Sequence, residues 1–195
     1  MKLCVFQGTF NPIHNAHTRV AEFVASKYDF DKILFIPAFN PPHKSLNLDM
    51  SYHRLEMAKL AVKNNSKFEV SDIEFRRKGK SYTYLTIVEL YKEFPIKGKI
   101  NFLIGTDAFQ YIEKWYETDK LKNLVKFIFV REDNFDISKY DYLKDKGYEF
   151  EFQPLPFEDI SSTKLRDDIK LGKSISGYVA KEVEDYIKQN GLYKD

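Results

Sequence analysis

Apolar positions along this chain follow two alternating rhythms. Short β-like runs occur at Leu3–Phe6, Ile33–Ile36, Phe68–Ile73, Ile100–Ile104 and Val125–Val130, with a weaker candidate near Glu149–Phe152. Between them, apolar residues recur at helical spacing. Asn15–Tyr28 places Val20, Phe23, Val24 and Tyr28 on one face, Ser51–Val62 does so with Leu55, Ala58 and Val62, and Thr83–Phe94 with Ile87, Leu90 and Tyr91. Ser162–Leu171, stopped by Gly172, and Val179–Gln189 read as closing helices. Ile100–Ile104 and Val125–Val130 are apolar runs broken only by Asn101 and Lys126, as expected of parallel strands covered on both faces. The alternation predicts an α/β fold with a parallel sheet and right-handed crossovers. Without repeats, low-complexity tracts or a linker, residues 1–195 are expected to form a single domain. In such sheets ligands bind beyond the strand C-termini, so residues that carry chemistry should follow strands.

Composition narrows the classes. The 195 residues, 43% hydrophobic and 16% aromatic, suffice for a real core. Lys+Arg 31 against Asp+Glu 29 leaves no global field for nucleic acid or a membrane surface, so neither is expected as a partner. The single cysteine, Cys4, excludes an internal disulfide and a multi-cysteine zinc site. The opening residues lack the apolar core of a signal peptide, and no apolar run approaches the ~20 residues of a spanning helix. A soluble, cytoplasmic protein is expected.

Five segments carry candidate chemistry. Gly8-Thr9-Phe10-Asn11-Pro12-Ile13-His14-Asn15-Ala16-His17 follows the first strand and enters a helix, where N–H groups and the helix dipole favour phosphate. Gly8 permits close backbone approach, and His14 and His17 fall within one turn of each other. Ile36-Pro37-Ala38-Phe39-Asn40-Pro41-Pro42-His43-Lys44 follows the second strand, a stiff loop able to present Lys44 as a point charge. Ser81-Tyr82-Thr83-Tyr84-Leu85-Thr86 opens a helix after the basic run Arg76-Arg77-Lys78, which read alone is a solvated turn. Its hydroxyls suit N-caps, and its N-terminus also suits a ligand carboxylate.

Gly105-Thr106-Asp107 follows the fourth strand, with Trp115 downstream. An aspartate there can accept from ribose hydroxyls, and the tryptophan either stacks on a planar ring or packs in the core. Ile160-Ser161-Ser162-Thr163-Lys164-Leu165-Arg166 combines hydroxyls at a helix start with a guanidinium one turn on, a cap that can also hold phosphate oxygens.

In order along the chain, these segments resemble the bacterial nicotinate-nucleotide adenylyltransferases of the nucleotidyltransferase superfamily marked by an H-x-G-H turn. Gly8–His17 is similar to the family's G-T-F-D-P-I-H-x-G-H, and Ile36–Lys44 to I-P-x-x-x-P-P-H-K. Ser81–Thr86 is similar to S-Y-T-x-x-T, Gly105–Trp115 to G-x-D…W, and Ile160–Arg166 to I-S-S-T-x-x-R. The tail Tyr178-Val179…Tyr186-Ile187…Gly191-Leu192-Tyr193 is similar too. The chain departs from that pattern at Gln7, Asn11, Ala16, Ala180 and Glu132-Asp133. Ala16 adds a methyl between the histidines.

The resemblance implies a Rossmann-like, doubly wound parallel sheet of the nucleotidyltransferase type with C-terminal helices. It also implies adenylyl transfer from ATP to nicotinate mononucleotide, a step of NAD biosynthesis. The acceptor phosphate is then the nucleophile, and positioning and charge neutralisation supply the catalysis. His14, His17 and Arg166 would be catalytic, with Gly8, Thr9, Phe10, Asp107, Ser161, Ser162 and Arg166 on ATP. Lys44, Thr83, Thr86, Trp115 and Arg131 would hold the acceptor. Mg²⁺ would arrive on the ATP phosphates, without a protein metal cage. A homo-oligomer is compatible with these features. The alternatives are the same chemistry on nicotinamide mononucleotide or another phosphorylated acceptor, and a nucleotide-binding sensor without catalysis.

Overall fold

In the computed structural model, which describes residues 1–43, 47–131, 136–155 and 160–194, six parallel strands form one sheet. They are β1 (Leu3–Gly8), β2 (Lys32–Pro37), β3 (Phe68–Val70), β4 (Ile100–Ile104), β5 (Val125–Arg131) and β6 (Phe150–Pro154). The helices are α1 (Asn15–Lys27), α2 (Asp49–Val62), α3 (Ile73–Arg77), α4 (Thr83–Glu93), α5 (Thr106–Phe109), α6 (Thr118–Leu121), α7 (Asp141–Asp145), α8 (Ser162–Lys170) and α9 (Lys181–Gln189).

The strand order is β3-β2-β1-β4-β5-β6, the doubly wound Rossmann arrangement expected from the sequence. The chain winds outward from β1 to β3, then crosses back to β4 and winds the other way. The reversal between β1 and β4 opens a crevice at their C-terminal ends, which is where β1 delivers Gly8 and β4 delivers Gly105.

Strand alternation sorts the core into two layers. Cys4, Ile33, Phe35, Leu103, Ile128 and Val130 face one side, against Val20 and Val24 of α1, Met57 and Ala58 of α2, Leu165 of α8 and Val183 and Ile187 of α9. Leu3, Val5, Leu34, Phe102, Phe127 and Phe129 face the other, against Ile87 and Leu90 of α4, Phe109, Leu121 and Leu143. Cys4 is fully buried and burial pushes its thiol up, so it behaves as a small hydrophobe.

The third β-like run is shorter than the apolar pattern predicts. Strand pairing stops at Val70, and Ile73 opens α3 instead of closing a strand over Phe68–Ile73. The Ser71 Oγ accepts the Ile73 N–H at 3.2 Å, and Arg76 pairs with Asp72 at 2.8 Å, so local polar groups turn the chain into a helix. Of the basic run expected as a solvated turn, Arg76 and Arg77 are helical, while Lys78 follows α3 at φ 59° and is exposed. Arg77 in particular lies against Glu89 at 2.9 Å with its side chain 16% exposed. The short helices α5, α6 and α7 carry too few residues for a periodicity to show. Among the described residues no helix is long and apolar enough to cross a membrane.

Candidate active site

A cavity of about 640 Å³ occupies the switch point. Gly8, His14 and His17 line it from β1 and the start of α1, Ile104 and Asp107 from β4 and α5, and Ser161 and Ser162 from the entry to α8. Segments far apart in sequence thus meet where the sheet's topology opens.

The opening turn is held from several sides. Thr9 O accepts from Arg54 Nη1 at 2.7 Å, and Arg54 Nη2 reaches Phe39 O at 3.2 Å. Arg54 is fully buried, joining the opening turn to the loop after β2. Phe10 has φ 48°, a left-handed backbone uncommon for a side chain of this size, and its ring is 2% exposed. That ring occupies the space a Cβ on Gly8 would take, with ring carbons only 2.8 Å from the Cβ position. Gly8 is therefore required by Phe10 packing.

His14 caps α1 in an extended conformation, φ −142° and ψ 170°. Its backbone N–H donates to His17 Nδ1 at 3.2 Å, and the two rings lie 3.7 Å apart between centroids. Since Nδ1 of His17 accepts, the neutral ring carries its proton on Nε2. Phe10 packs edge-on to His17 at 5.1 Å. Burial lowers the His14 pKa from 6.5 to about 4 and holds His17 well below 6.5, with the neighbouring His14 adding to the effect on His17. Both imidazoles are neutral near pH 7 in the free protein, and His14 Nδ1 is buried without a hydrogen-bond partner.

The α8 entry docks onto the same turn. Ser161 caps α8 by accepting the Lys164 N–H at 3.2 Å, and Ser162 Oγ donates to Pro12 O at 2.9 Å. Arg166 Nη1 donates to Asn11 O at 2.8 Å, and Tyr193 OH donates to Asn11 Oδ1 at 2.7 Å. Asn15 is tied to the tail, its N–H to Tyr178 O and its Nδ2 to Gly177 O, both at 2.8 Å. One N–H of the α1 terminus is thus engaged within the protein.

A family model described as cytidylyltransferase-like matches residues 5–168. A probable nicotinate-nucleotide adenylyltransferase of Clostridium botulinum (strain Kyoto / Type A2) is 38% identical over 97% of this chain and 98% of its own length. The nicotinate-nucleotide adenylyltransferase of Bacillus subtilis (strain 168) is 36% identical over 99% and 98%. The chain belongs to the nicotinate-nucleotide adenylyltransferases, within the cytidylyltransferase-like family. Its fold matches that of the Plasmodium falciparum nicotinic acid mononucleotide adenylyltransferase complexed with NaAD, with a TM-score of 0.78 at 24% identity over 98% of this chain and 97% of that one.

Thr83, Thr86 and Trp115 do not line the cavity. Thr83 and Thr86 lie at the start of α4, where their hydroxyls bond inward, Thr83 Oγ1 to Gln7 Oε1 at 2.8 Å and Thr86 Oγ1 to Glu74 Oε1 at 2.6 Å. Trp115 is half-buried and packs edge-on to Phe102 at 6.3 Å between centroids. Beside it Tyr116 stacks on Tyr82 at 4.5 Å, an aromatic pair flanking the α4 start that the sequence reading did not single out. Arg131 ends β5, and Lys44 lies outside the described residues. Asn11, Gln7, Glu74, Arg54 and Tyr193 were also absent from the sequence-predicted set. Gln7 and Asn11 were visible as departures from the family pattern, but their partners come from distant segments and leave no local signal.

Proposed function

We propose that this protein transfers the adenylyl group of ATP to nicotinate mononucleotide, giving nicotinate adenine dinucleotide and pyrophosphate. The observation that carries the reading is the His14–His17 pair at the switch-point cavity, in a chain whose full-length relatives bear that activity in their names. An oxygen of the acceptor phosphate attacks the α-phosphorus, and the bond from that phosphorus to the bridging oxygen of the β-phosphate breaks. No protein nucleophile is needed, in keeping with the inert, buried Cys4.

The His17 ring, its Nε2–H fixed by the His14 N–H, is a preorganised neutral donor for charge developing at the α-phosphate. His14, buried beside it, is the second such group. Arg166 and the hydroxyls of Ser161 and Ser162 would provide for the β- and γ-phosphates at the α8 entry, where Ser161 is the N-cap and Ser162 opens the helix. Asp107, in the first turn of α5 and on the cavity lining, would accept from ribose hydroxyls. Gly8, Thr9 and Phe10 shape the turn that cradles the nucleotide, and Lys44 and Arg131 are proposed for the acceptor phosphate.

Among the described residues no group of three or more His, Cys, Asp or Glu is placed to hold a metal. Mg²⁺ carried in on the triphosphate would neutralise phosphate charge.

The pyridine ring would lie against Trp115 and the Tyr82–Tyr116 pair. Its carboxylate would meet the N-terminal N–H groups of α4, a helix whose N-cap, Tyr82, makes no side-chain cap bond. With the Thr83 and Thr86 hydroxyls directed inward, that seat offers backbone donors, which suit an acid better than an amide. Pyrophosphate release with ATP and Mg²⁺ tests the reading, comparing nicotinate and nicotinamide mononucleotides. The acid should be turned over with clear preference, and turnover of neither would overturn the reading.

A further inference from the structure

Glu74 is a carboxylate buried to 1% exposure, and it joins two of the segments singled out in the sequence to the end of β1. Its Oε1 accepts from Gln7 Nε2 at the end of β1 and from Thr86 Oγ1 in α4, both at 2.6 Å. Its Oε2 accepts the Phe39 N–H, in the loop after β2, at 3.1 Å. Arg77 Nη2 lies 3.7 Å from Oε1 and donates to Thr86 Oγ1 at 3.1 Å, while Nη1 pairs with Glu89. A buried charge held by this many donors is costly to disturb.

The arrangement dictates which way each group points. An ionised carboxylate only accepts, so Gln7 must present its NH₂ to Glu74. The Gln7 carbonyl is then turned to Thr83, whose hydroxyl donates to it at 2.8 Å. The Thr83 hydroxyl is thereby turned to Gln7. Released from Gln7, a threonine hydroxyl at a helix start bonds nearby backbone groups instead.

We propose that Glu74 is a positioning residue for acceptor selectivity. Acting through Gln7, it keeps the Thr83 hydroxyl from competing for the N–H groups at the α4 terminus, and so preserves a donor-only seat that favours an acid over an amide. This rests on the function proposed above.

The test is the ratio of kcat/KM for nicotinate over nicotinamide mononucleotide, measured by pyrophosphate release. Glu74→Gln should lower the ratio about tenfold, the scale of one lost hydrogen bond to a charged group, with the KM for ATP within about twofold of wild type. Gln7→Met removes the bridge without disturbing the buried carboxylate's other donors. It should lower the ratio alike and decides the matter if Glu74→Gln does not fold. Adding Thr83→Val to Gln7→Met deletes the freed hydroxyl and should restore the ratio, which no general loosening of the fold would do. A wild-type ratio in Gln7→Met, or no recovery in the double variant, overturns the inference alone. A wild-type enzyme that turns over neither mononucleotide, or shows no preference for the acid, overturns the reading beneath it.

Discussion

The Nδ1 atom of His17 accepts the backbone N–H of His14 at 3.2 Å. The second histidine of the opening turn therefore completes the cap of α1, and the cap in turn fixes its tautomer. The side chain proposed as a catalytic donor thus also makes a structural bond, and the two roles can be separated. Asparagine at position 17 can still accept the cap bond through its carboxamide oxygen but lacks the Nε2–H. His17→Asn is expected to melt within a few degrees of wild type while kcat falls by about 10²–10³, the cost of one preorganised donor. Steady-state pyrophosphate release and a thermal melt check both halves, and activity within tenfold of wild type would remove His17 from the chemistry.

Burial of the imidazoles has a consequence for pH. The folded chain protonates His14 only near pH 4, whereas the unfolded chain does so near 6.5. Between these values the unfolded state binds more protons, so stability rises with pH across the window and falls as pH drops through it. His17, held low by burial and by His14, steepens the same limb. Urea unfolding as a function of pH should show this acid limb, and His14→Asn, which keeps an N-capping side chain, should flatten it. A variant profile that superposes on wild type contradicts the assignment.

Gly8→Ala tests the packing beneath the histidines. The new methyl would sit 2.8 Å from the Phe10 ring, itself held at φ 48° and edge-on to His17. The ring must move and His17 with it, so kcat should fall by at least tenfold with a stability loss of about 1–3 kcal/mol, the scale of an overpacked core. Chemical denaturation and kinetics together check this, and unchanged kcat would show that the ring yields without disturbing the site.

Much of this was legible in advance. Largely apolar runs at β4 and β5 announced a buried parallel sheet, and the candidate segments that open at Gly8 and Gly105 do follow strands. The run through Ile73 was not legible, because Ser71 and Asp72 end the strand by local hydrogen bonds that hydrophobic periodicity does not register. Buried Arg54 and Glu74 were missed for a different reason. A charged residue reads as solvent-facing, and the burial of these two is decided by a backbone carbonyl and a side-chain amide from segments dozens of residues away.

The tail is a further example, since Tyr193 reaches Asn11 Oδ1 at 2.7 Å across nearly the whole chain, and Arg166 bonds the carbonyl of the same asparagine. Tyr193→Phe should cost about 1 kcal/mol of stability, as for one net hydrogen bond. By loosening the turn at Asn11 it should also raise the KM for ATP severalfold, with the KM for the acceptor mononucleotide unchanged. Equal changes in both would indicate a general loss of packing instead.

The central claim, adenylyl transfer to a pyridine mononucleotide, is tested most directly with ATP labelled at the α-phosphorus. Incubated with Mg²⁺ and nicotinate mononucleotide, the protein should move the label into nicotinate adenine dinucleotide and leave the released pyrophosphate unlabelled. Label that stays in ATP, or leaves it without entering a dinucleotide, would contradict the account.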